Sequence, residues 1–345
     1  MKYIYYIEII RVEVLKIHEF MPLGKLVKMI HKKALFDLAV IILAFVLFVI
    51  WHQNSTRGVQ TTFQNVEFYD VYLITTDKGF QYWDLLNQGA EDMANLIGVR
   101  YKWEAPEVRS TRRQIEIINE AVEKGAEALI IAADDPKYIS GSVEDAKARG
   151  VKVIYVDSPA YEEAITTLTT DNYEAGVMAA EAMLSILNDR GINEGAIGIV
   201  NLTEKENTNL REVGFRDTIA GSPGYRITET IYTENDLPEV TQAAAQMLID
   251  QNRDLVALFG TSEGATIGIG RANQANENRF VGVGLDLTET NAKLLRKGSL
   301  DVIIDQNPYT MGYLGMAQAV AAIAGKDTGP DYINTGVSVV YGSQN

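Results

Sequence analysis

The chain has 345 residues, 47% of them hydrophobic and none of them cysteine, with 46 acidic against 31 basic side chains and a formal charge of −15. Size and apolar share suffice for one or two globular domains with substantial cores, and the missing cysteines exclude disulfides, thiolate metal sites, a cysteine nucleophile and a lipidated N-terminal cysteine. The charge is uneven, because residues 1–57 hold eight Lys/Arg against four Asp/Glu, which leaves 23 basic against 42 acidic residues beyond them; so negative a body repels phosphate backbones and argues against a nucleic-acid partner.

Residues 1–20 (MKYIYYIEIIRVEVLKIHEF) fit neither a signal n-region nor the later pattern, and Met21 or Met29 would begin a conventional anchor; the first twenty residues read as a start-site artefact. Residues 34–51 form an apolar run broken only by Asp37, preceded by Lys25, Lys28, Lys32 and Lys33 and followed closely by Arg57 alone. Eighteen residues is at the short end for a membrane span. The lysine bias sets residues 1–33 in the cytoplasm and the body outside. Trp51-His52-Gln53 offer no small-x-small cleavage site, so the expectation is an uncleaved signal anchor at 34–51 and a polar tether at 52–68. The three histidines, His18, His31 and His52, lie in this segment, which leaves none in the body for catalysis or a histidine-based metal site.

From about Phe68 onward, strand-like apolar runs alternate with amphipathic helical ones. The first half predicts strands at Val71–Thr76, Val99–Trp103, Ala128–Ala132, Val151–Val156 and Ile165–Thr169, with helices at Tyr82–Leu96, Thr111–Glu123 and Tyr138–Ala148 between them. The second half repeats the rhythm, with strands at Ile197–Asn201, Arg226–Tyr232, Leu255–Phe259, Phe280–Leu285 and Leu300–Ile304. Its helices lie near Ala175–Leu187, Leu210–Ala220, Pro238–Asp250, Gly264–Gln274 and Thr288–Arg296, and a last helix at Tyr309–Ala324 precedes a strand at Val337–Tyr341. Such alternation means parallel sheets covered on both faces. Ten units exceed one compact sheet, so two similar doubly wound lobes are expected, with an eight-unit barrel as the other architecture.

Polar residues recur where the strands end: Asp134-Asp135, Asp157-Ser158, Asp171-Asn172, Asp286 and Asp305-Gln306-Asn307. A single such Asp is usually a helix N-cap. Five on the edge where open α/β folds keep their ligands suggest a site. The first strand–turn–helix adds Asp77-Lys78 in its turn and the rings Tyr82 and Trp83 in its first helical turn, either core caps or a stacking face. Acids, amides and rings together suit a small hydroxylated ligand such as a monosaccharide. Catalysis is less well served. Ser158 lacks a G-x-S-x-G context, no histidine can act as base, and GVGLDL and GIGRAN miss the dinucleotide spacing, so no enzyme activity, cofactor or metal is expected; paired carboxylates keep a sugar-processing enzyme as the alternative.

From about Tyr69 to its end the chain resembles the sugar-binding, ribose-binding-protein-like branch of the type I periplasmic binding proteins. The resemblance rests on Tyr82-Trp83 followed by Gly89-Ala90, on EALIIAADD, VIYVDS, LTTDNYEAG, Arg211 to Phe215, FGTSEGATIG, VGLD and DQNPYTMG, in order and at the right separations. It implies two α/β lobes joined by three crossing strands near Thr170–Asn172, Gln306–Pro308 and Asn334. The lobes would be 69–170 plus 307–333 and 171–306 plus 334–345. It also implies that Tyr82 and Trp83 stack on a sugar ring, that Asp157 and Asp286 are the acids of the two lobes, that Arg211 grips ring or hydroxyl oxygens, and that Gln306 is the hinge-side amide. Asp134 ends the third strand beside them. Three departures stand out: Ser158 where the ribose group has arginine, Ser262 followed by Glu263 where it has asparagine, and Asp77-Lys78 in the first loop. Ribose itself becomes doubtful, and a pentose such as xylose, another hydroxylated ring or a small polyol-like signal fits equally well. The implied partners are an ABC permease or a membrane sensor histidine kinase. A lactose-repressor-type regulator shares the fold but would need a DNA-binding head and a basic surface.

Overall fold

The computed structural model describes residues 69–203 and 205–342. The expected anchor at 34–51, its lysine flank and the tether lie outside the described residues; among those described, no helix is long and apolar enough to cross a membrane.

The first lobe runs β1 (Asp70–Ile74), α1 (Gln81–Ile97), β2 (Arg100–Glu104), α2 (Thr111–Glu123), β3 (Ala128–Ile131), α3 (Pro136–Ala148), β4 (Lys152–Val156) and β5 (Thr166–Thr169). The second runs α4 (Asn172–Asp189), β6 (Gly195–Leu202), α5 (Glu206–Ile219), β7 (Tyr225–Ile227), β8 (Ile231–Thr233), α6 (Pro238–Gln251), β9 (Leu255–Gly260), α7 (Glu263–Ala275), β10 (Val281–Leu285), α8 (Glu289–Arg296) and β11 (Val302–Asp305). The chain then returns through α9 (Pro308–Ile323) and β12 (Tyr332–Asn334) to the first lobe and ends in the second with β13 (Ser338–Tyr341). It therefore passes between the sheets three times, at 170–171, 306–307 and 335–337.

The first sheet is ordered β12-β5-β4-β3-β1-β2 and is parallel throughout. The second is ordered β13-β11-β10-β9-β6-β7, with β8 paired further along β6; it is parallel except for β13, which runs antiparallel to β11 at the edge. The inner strands β1, β3, β4, β9 and β10 read as nearly continuous apolar runs because both their faces are buried. In β1, Val71 and Leu73 face α1 and α9, while Tyr72 and Ile74 face α2 and α3. In the second lobe Ile197 and Ile199 meet α4 and α5, whereas Ala196 and Val200 meet α6 and α7.

Two elements differ from the sequence expectation. The strand expected over Arg226–Tyr232 is split into β7 and β8, which pair with successive stretches of β6. Thr230, between them, donates its hydroxyl to the buried Glu212 carboxylate at 2.6 Å, a side-chain bond that draws the segment off the ladder. Strand β12 was not foreseen, since three residues with exposed ends carry no apolar run.

Candidate ligand-binding cleft

The carboxyl ends of the two sheets face each other across a cavity of ≈ 380 Å³. Of the residues singled out from sequence, Asp77, Tyr82, Trp83, Asp134, Asp157, Ser158, Arg211, Ser262, Asp286 and Gln306 line it. Lys78 does not: its ammonium lies 5.6 Å from the centre of the Trp103 ring, and its N–H donates to the Pro106 carbonyl, so the turn directs it away.

Backbone shape aims Asp157 and Asp286 into the cavity and turns Asn307 onto the third crossing, where its amide donates to the carbonyls of Thr335 and Gly336. Asp157, Asp286 and Asn307 follow β4, β10 and β11 with φ of 60°, 70° and 57°. Asp and Asn tolerate this left-handed region best among side-chain-bearing residues, yet it costs on the order of 1–3 kcal/mol. Other strand-end acids do serve as caps: Asp135 accepts from the N–H groups of Lys137 and Tyr138, and Asp171 from that of Glu174.

Tyr82 and Trp83 are each 5% exposed and meet edge to face, ring centres 4.9 Å apart. The Tyr82 hydroxyl donates to Asp157 Oδ1 at 2.8 Å, and Asn207 of the second lobe donates to Asp157 Oδ2 at 3.3 Å. Burial, then Asp157 and Asp286, push the Tyr82 phenol well above its ordinary value, so it remains a donor.

Arg211, 3% exposed, is no surface helix charge. Its guanidinium donates to Asn172 Oδ1 at 2.8 Å, to the Thr261 carbonyl at 2.9 Å and to Gln306 Oε1. Gln306 in turn donates to Asp286 Oδ1 at 2.6 Å. The chain Asn172–Arg211–Gln306–Asp286 thus ties two of the three crossings to the second-lobe acid. Buried networks of this kind rigidify only when their members are satisfied.

Sequence reasoning left out Arg109, Lys205 and Asp236, and met Glu263 only as a departure from the family pattern; all four line the cavity. Arg109 Nε lies 3.1 Å from Asp134 Oδ1, and Lys205, from the second lobe, donates to the same oxygen at 3.0 Å. Burial raises the Asp134 pKa, but Arg109, the Thr111 hydroxyl and Lys205 outweigh it and hold the carboxyl below its ordinary value. Asp236 accepts from the Ser262 hydroxyl at 2.6 Å and from the N–H groups of Gly264 and Ala265, each at 3.0 Å, at the start of α7. Lys205 and Asp236 follow strands of the second sheet, Arg109 follows β2, and Glu263 follows β9. The strand-end rule reached these loops but was applied only where an Asp stood directly after an apolar run.

Three second-lobe carboxyls sit well above the ordinary range. Burial lifts Glu263 to about 8, Asp286 to about 7 and Asp236 to about 6, against hydrogen bonds that favour their charged forms. Among the described residues, none of the three has a Lys or Arg nitrogen within ion-pair distance. Nor does any group of three or more Asp, Glu or His among the described residues converge closely enough to hold a metal. The cleft is therefore built to present rings, amides, hydroxyls and carboxyls to a small polar molecule, and it holds no nucleophile–base pair of the histidine type.

Comparison with known proteins identifies the family and the fold. The sequence pattern of the family described as periplasmic binding protein domain matches residues 71–327. The xylose/arabinose-binding protein of Sulfolobus acidocaldarius is 21% identical over 246 residues, 66% of this chain and 59% of that protein, so the chain spans less than two thirds of its length. The ribose import binding protein of Haemophilus influenzae is 22% identical over 243 residues, 70% of this chain and 81% of that one. Among solved structures, an ABC transporter solute-binding protein from Agrobacterium vitis bound with alpha-D-tagatopyranose superposes with a TM-score of 0.74 at 22% identity, covering 79% of this chain and 94% of its own. A carbohydrate transporter solute-binding protein from Agrobacterium radiobacter in complex with D-arabinose gives the same score and coverage at 25% identity. None of these relatives is named as an enzyme.

Proposed function

We propose, from the premise that this chain belongs to the periplasmic binding protein domain family, that it is an extracytoplasmic sugar-binding protein whose two lobes close on a monosaccharide, with a pentose such as D-xylose as the best fit. The observation that carries this reading is the ≈ 380 Å³ cavity, lined from one lobe by Tyr82, Trp83 and Asp157 and from the other by Arg211, Asp286 and Gln306. Rings cover the apolar face of a sugar, while acids, amide and guanidinium pair with its hydroxyls. Ligand that bonds to both lobes binds the closed form better, and so shifts the open–closed equilibrium by that difference.

Closure has two possible outputs. Delivery to an ABC permease comes first, because the relatives are named for import and transport. Signalling to a membrane sensor histidine kinase is the second reading, favoured by the apolar run at 34–51 with its lysine flank, which would tether the protein to one membrane by a single pass. No turnover of the sugar is part of either reading. Titration calorimetry with pentoses, hexoses and polyols tests the core claim: D-xylose or a related pentose should bind, and Trp83→Ala should weaken it about tenfold or more through the lost stacking face. If no sugar in the set binds, the reading falls.

A further inference from the structure

Helix α1 carries the ring pair, and its own N-cap residue does not cap it: Phe80 makes no side-chain hydrogen bond to the helix. The orphan N–H groups are met from the opposite lobe. Glu263, the first residue of α7, accepts from the N–H of Tyr82 at 2.9 Å through Oε2 and from that of Gln81 at 3.3 Å through Oε1. Gln81 returns the contact. Its Oε1 accepts from both the N–H and the hydroxyl of Thr290, at 3.1 Å each, in the first turn of α8. Asp236 meanwhile caps α7 itself. Three helix N-termini, each a partial positive end, converge here, and the carboxylates of Glu263 and Asp236 lie among them.

We infer that Glu263 is an interlobe latch: it caps α1 across the cleft and so positions Tyr82 and Trp83 against the second lobe. These bonds join protein to protein, so they form whether or not a ligand lies in the cavity. Breaking them on opening leaves α1 uncapped, a state that a missing N-cap makes unfavourable. Closure is then shared between ligand and latch, and Glu263 acts through the rings rather than by gripping the sugar. The latch itself is independent of which ligand binds; only its effect on affinity rests on the sugar-binding reading.

The absence of cysteine makes the test direct. In the full chain, Glu123→Cys and Gln251→Cys place one spin label on each lobe, and the distance distribution is read without ligand and with D-xylose. Glu263→Gln keeps the size of the side chain but sets an amide N–H₂ where a second acceptor is needed. It should shift the ligand-free distribution toward longer distances and weaken D-xylose about tenfold, with circular dichroism as for the parent protein. Gln81→Ala, which removes only the α8 contact, should shift it in the same direction by less. An unchanged ligand-free distribution in a folded Glu263→Gln protein overturns the latch, and if that variant does not fold, an unchanged distribution in Glu263→Asp, whose shorter side chain draws the carboxyl back from the α1 N–H groups, does so. A shifted distribution in protein that binds no sugar supports the latch and overturns the sugar reading instead.

Discussion

The two lobes share one architecture but meet the cleft with different chemistry. The first supplies surfaces and a charged rim: Tyr82 and Trp83, with Asp134 held by Arg109. The second supplies Arg211 and the acids Glu263 and Asp286, which closure buries, with the half-buried Asp236 beside them, none with a cation in contact. In the first lobe the acid at the rim is paired and stays charged; in the second the acids are desolvated and drift toward neutrality. Shape selection belongs to the first lobe, then, and the electrostatic cost of closing belongs to the second.

Removing Arg211 should break that division most severely. Arg211→Ala strips the guanidinium from Asn172, Thr261 and Gln306 and leaves Asp286 with less positive charge nearby. Truncating one partner of a buried charged network costs about 3–5 kcal/mol, so D-xylose binding by calorimetry should fall more than 100-fold. If affinity drops less than Trp83→Ala causes, the first lobe, not the second, carries the binding energy.

The helices behind each cleft face offer a second test, since here the lobes are alike. In the first lobe α1 crosses α9 so closely that a Cβ on Gly89 would stand 2.0 Å from the Tyr309 carbonyl oxygen, and one on Gly312 would stand 1.9 Å from that of Leu86. In the second, Gly176 and Gly214 meet the carbonyls of Arg211 and Tyr173 at 2.0 and 2.1 Å. Backbone cannot yield as a side-chain tip can, so Gly89→Ala and Gly176→Ala should each destabilise by about 1–3 kcal/mol, lowering the melting temperature by several degrees. Equal losses would support equivalence; a loss confined to one lobe would end it.

These glycines also explain how much could be read from the chain. All four belong to the motifs that carried the resemblance, the Tyr82-Trp83…Gly89-Ala90 pattern, DNYEAG, the Arg211–Phe215 stretch and PYTMG, so those motifs encode helix crossings as much as residues that line the cleft. Strand–helix alternation and buried two-faced strands were legible because they repeat with a fixed period. Asp157, Asp286 and Gln306 were legible because they end apolar runs. Lys78 was placed at the cleft on its neighbour's account, and a turn can send adjacent side chains opposite ways. Glu263 stood in view as a departure from the family, but its partner is the backbone of a helix 181 residues away, and no spacing rule reports contact at that range.

The acids predict a smaller, pH-dependent effect. Asp286, facing Arg211, Gln306, Asp157 and Asp305, is raised to about 7, and Glu263, facing Asp286 and Asp236, to about 8 in the closed form. Hydrated in an open form they would titrate near 4. Closing therefore takes up protons between about pH 4 and 8, and linkage makes closure most favourable below that window and less so as pH rises through 7 and 8. D-Xylose should bind more weakly at pH 8.5 than at pH 5.5, and calorimetry in buffers of different ionisation enthalpy should register proton uptake. Affinity that rises with pH would mean that the second-lobe acids act as charged groups.

The smallest effect should come from the rim. Lys205 is the one cation among the described ion pairs of the cleft that bridges the lobes, donating to Asp134 Oδ1 and to the Asp134 carbonyl, each at 3.0 Å. Its side chain is about a third exposed, and Asp134 keeps Arg109 at 3.1 Å and the Thr111 hydroxyl at 2.6 Å when Lys205 is gone. No buried charge is orphaned, so the large penalty expected at Arg211 does not arise; what is lost is a screened, partly hydrated pair worth about 0.2–1 kcal/mol. Lys205→Met, which keeps the apolar stem, should weaken D-xylose no more than about fivefold at low salt, and the difference should shrink as salt rises. A loss of tenfold or more that survives high salt would make the Asp134–Lys205 pair a main closing contact and would move the dominant electrostatic role from the desolvated floor of the second lobe to the charged rim.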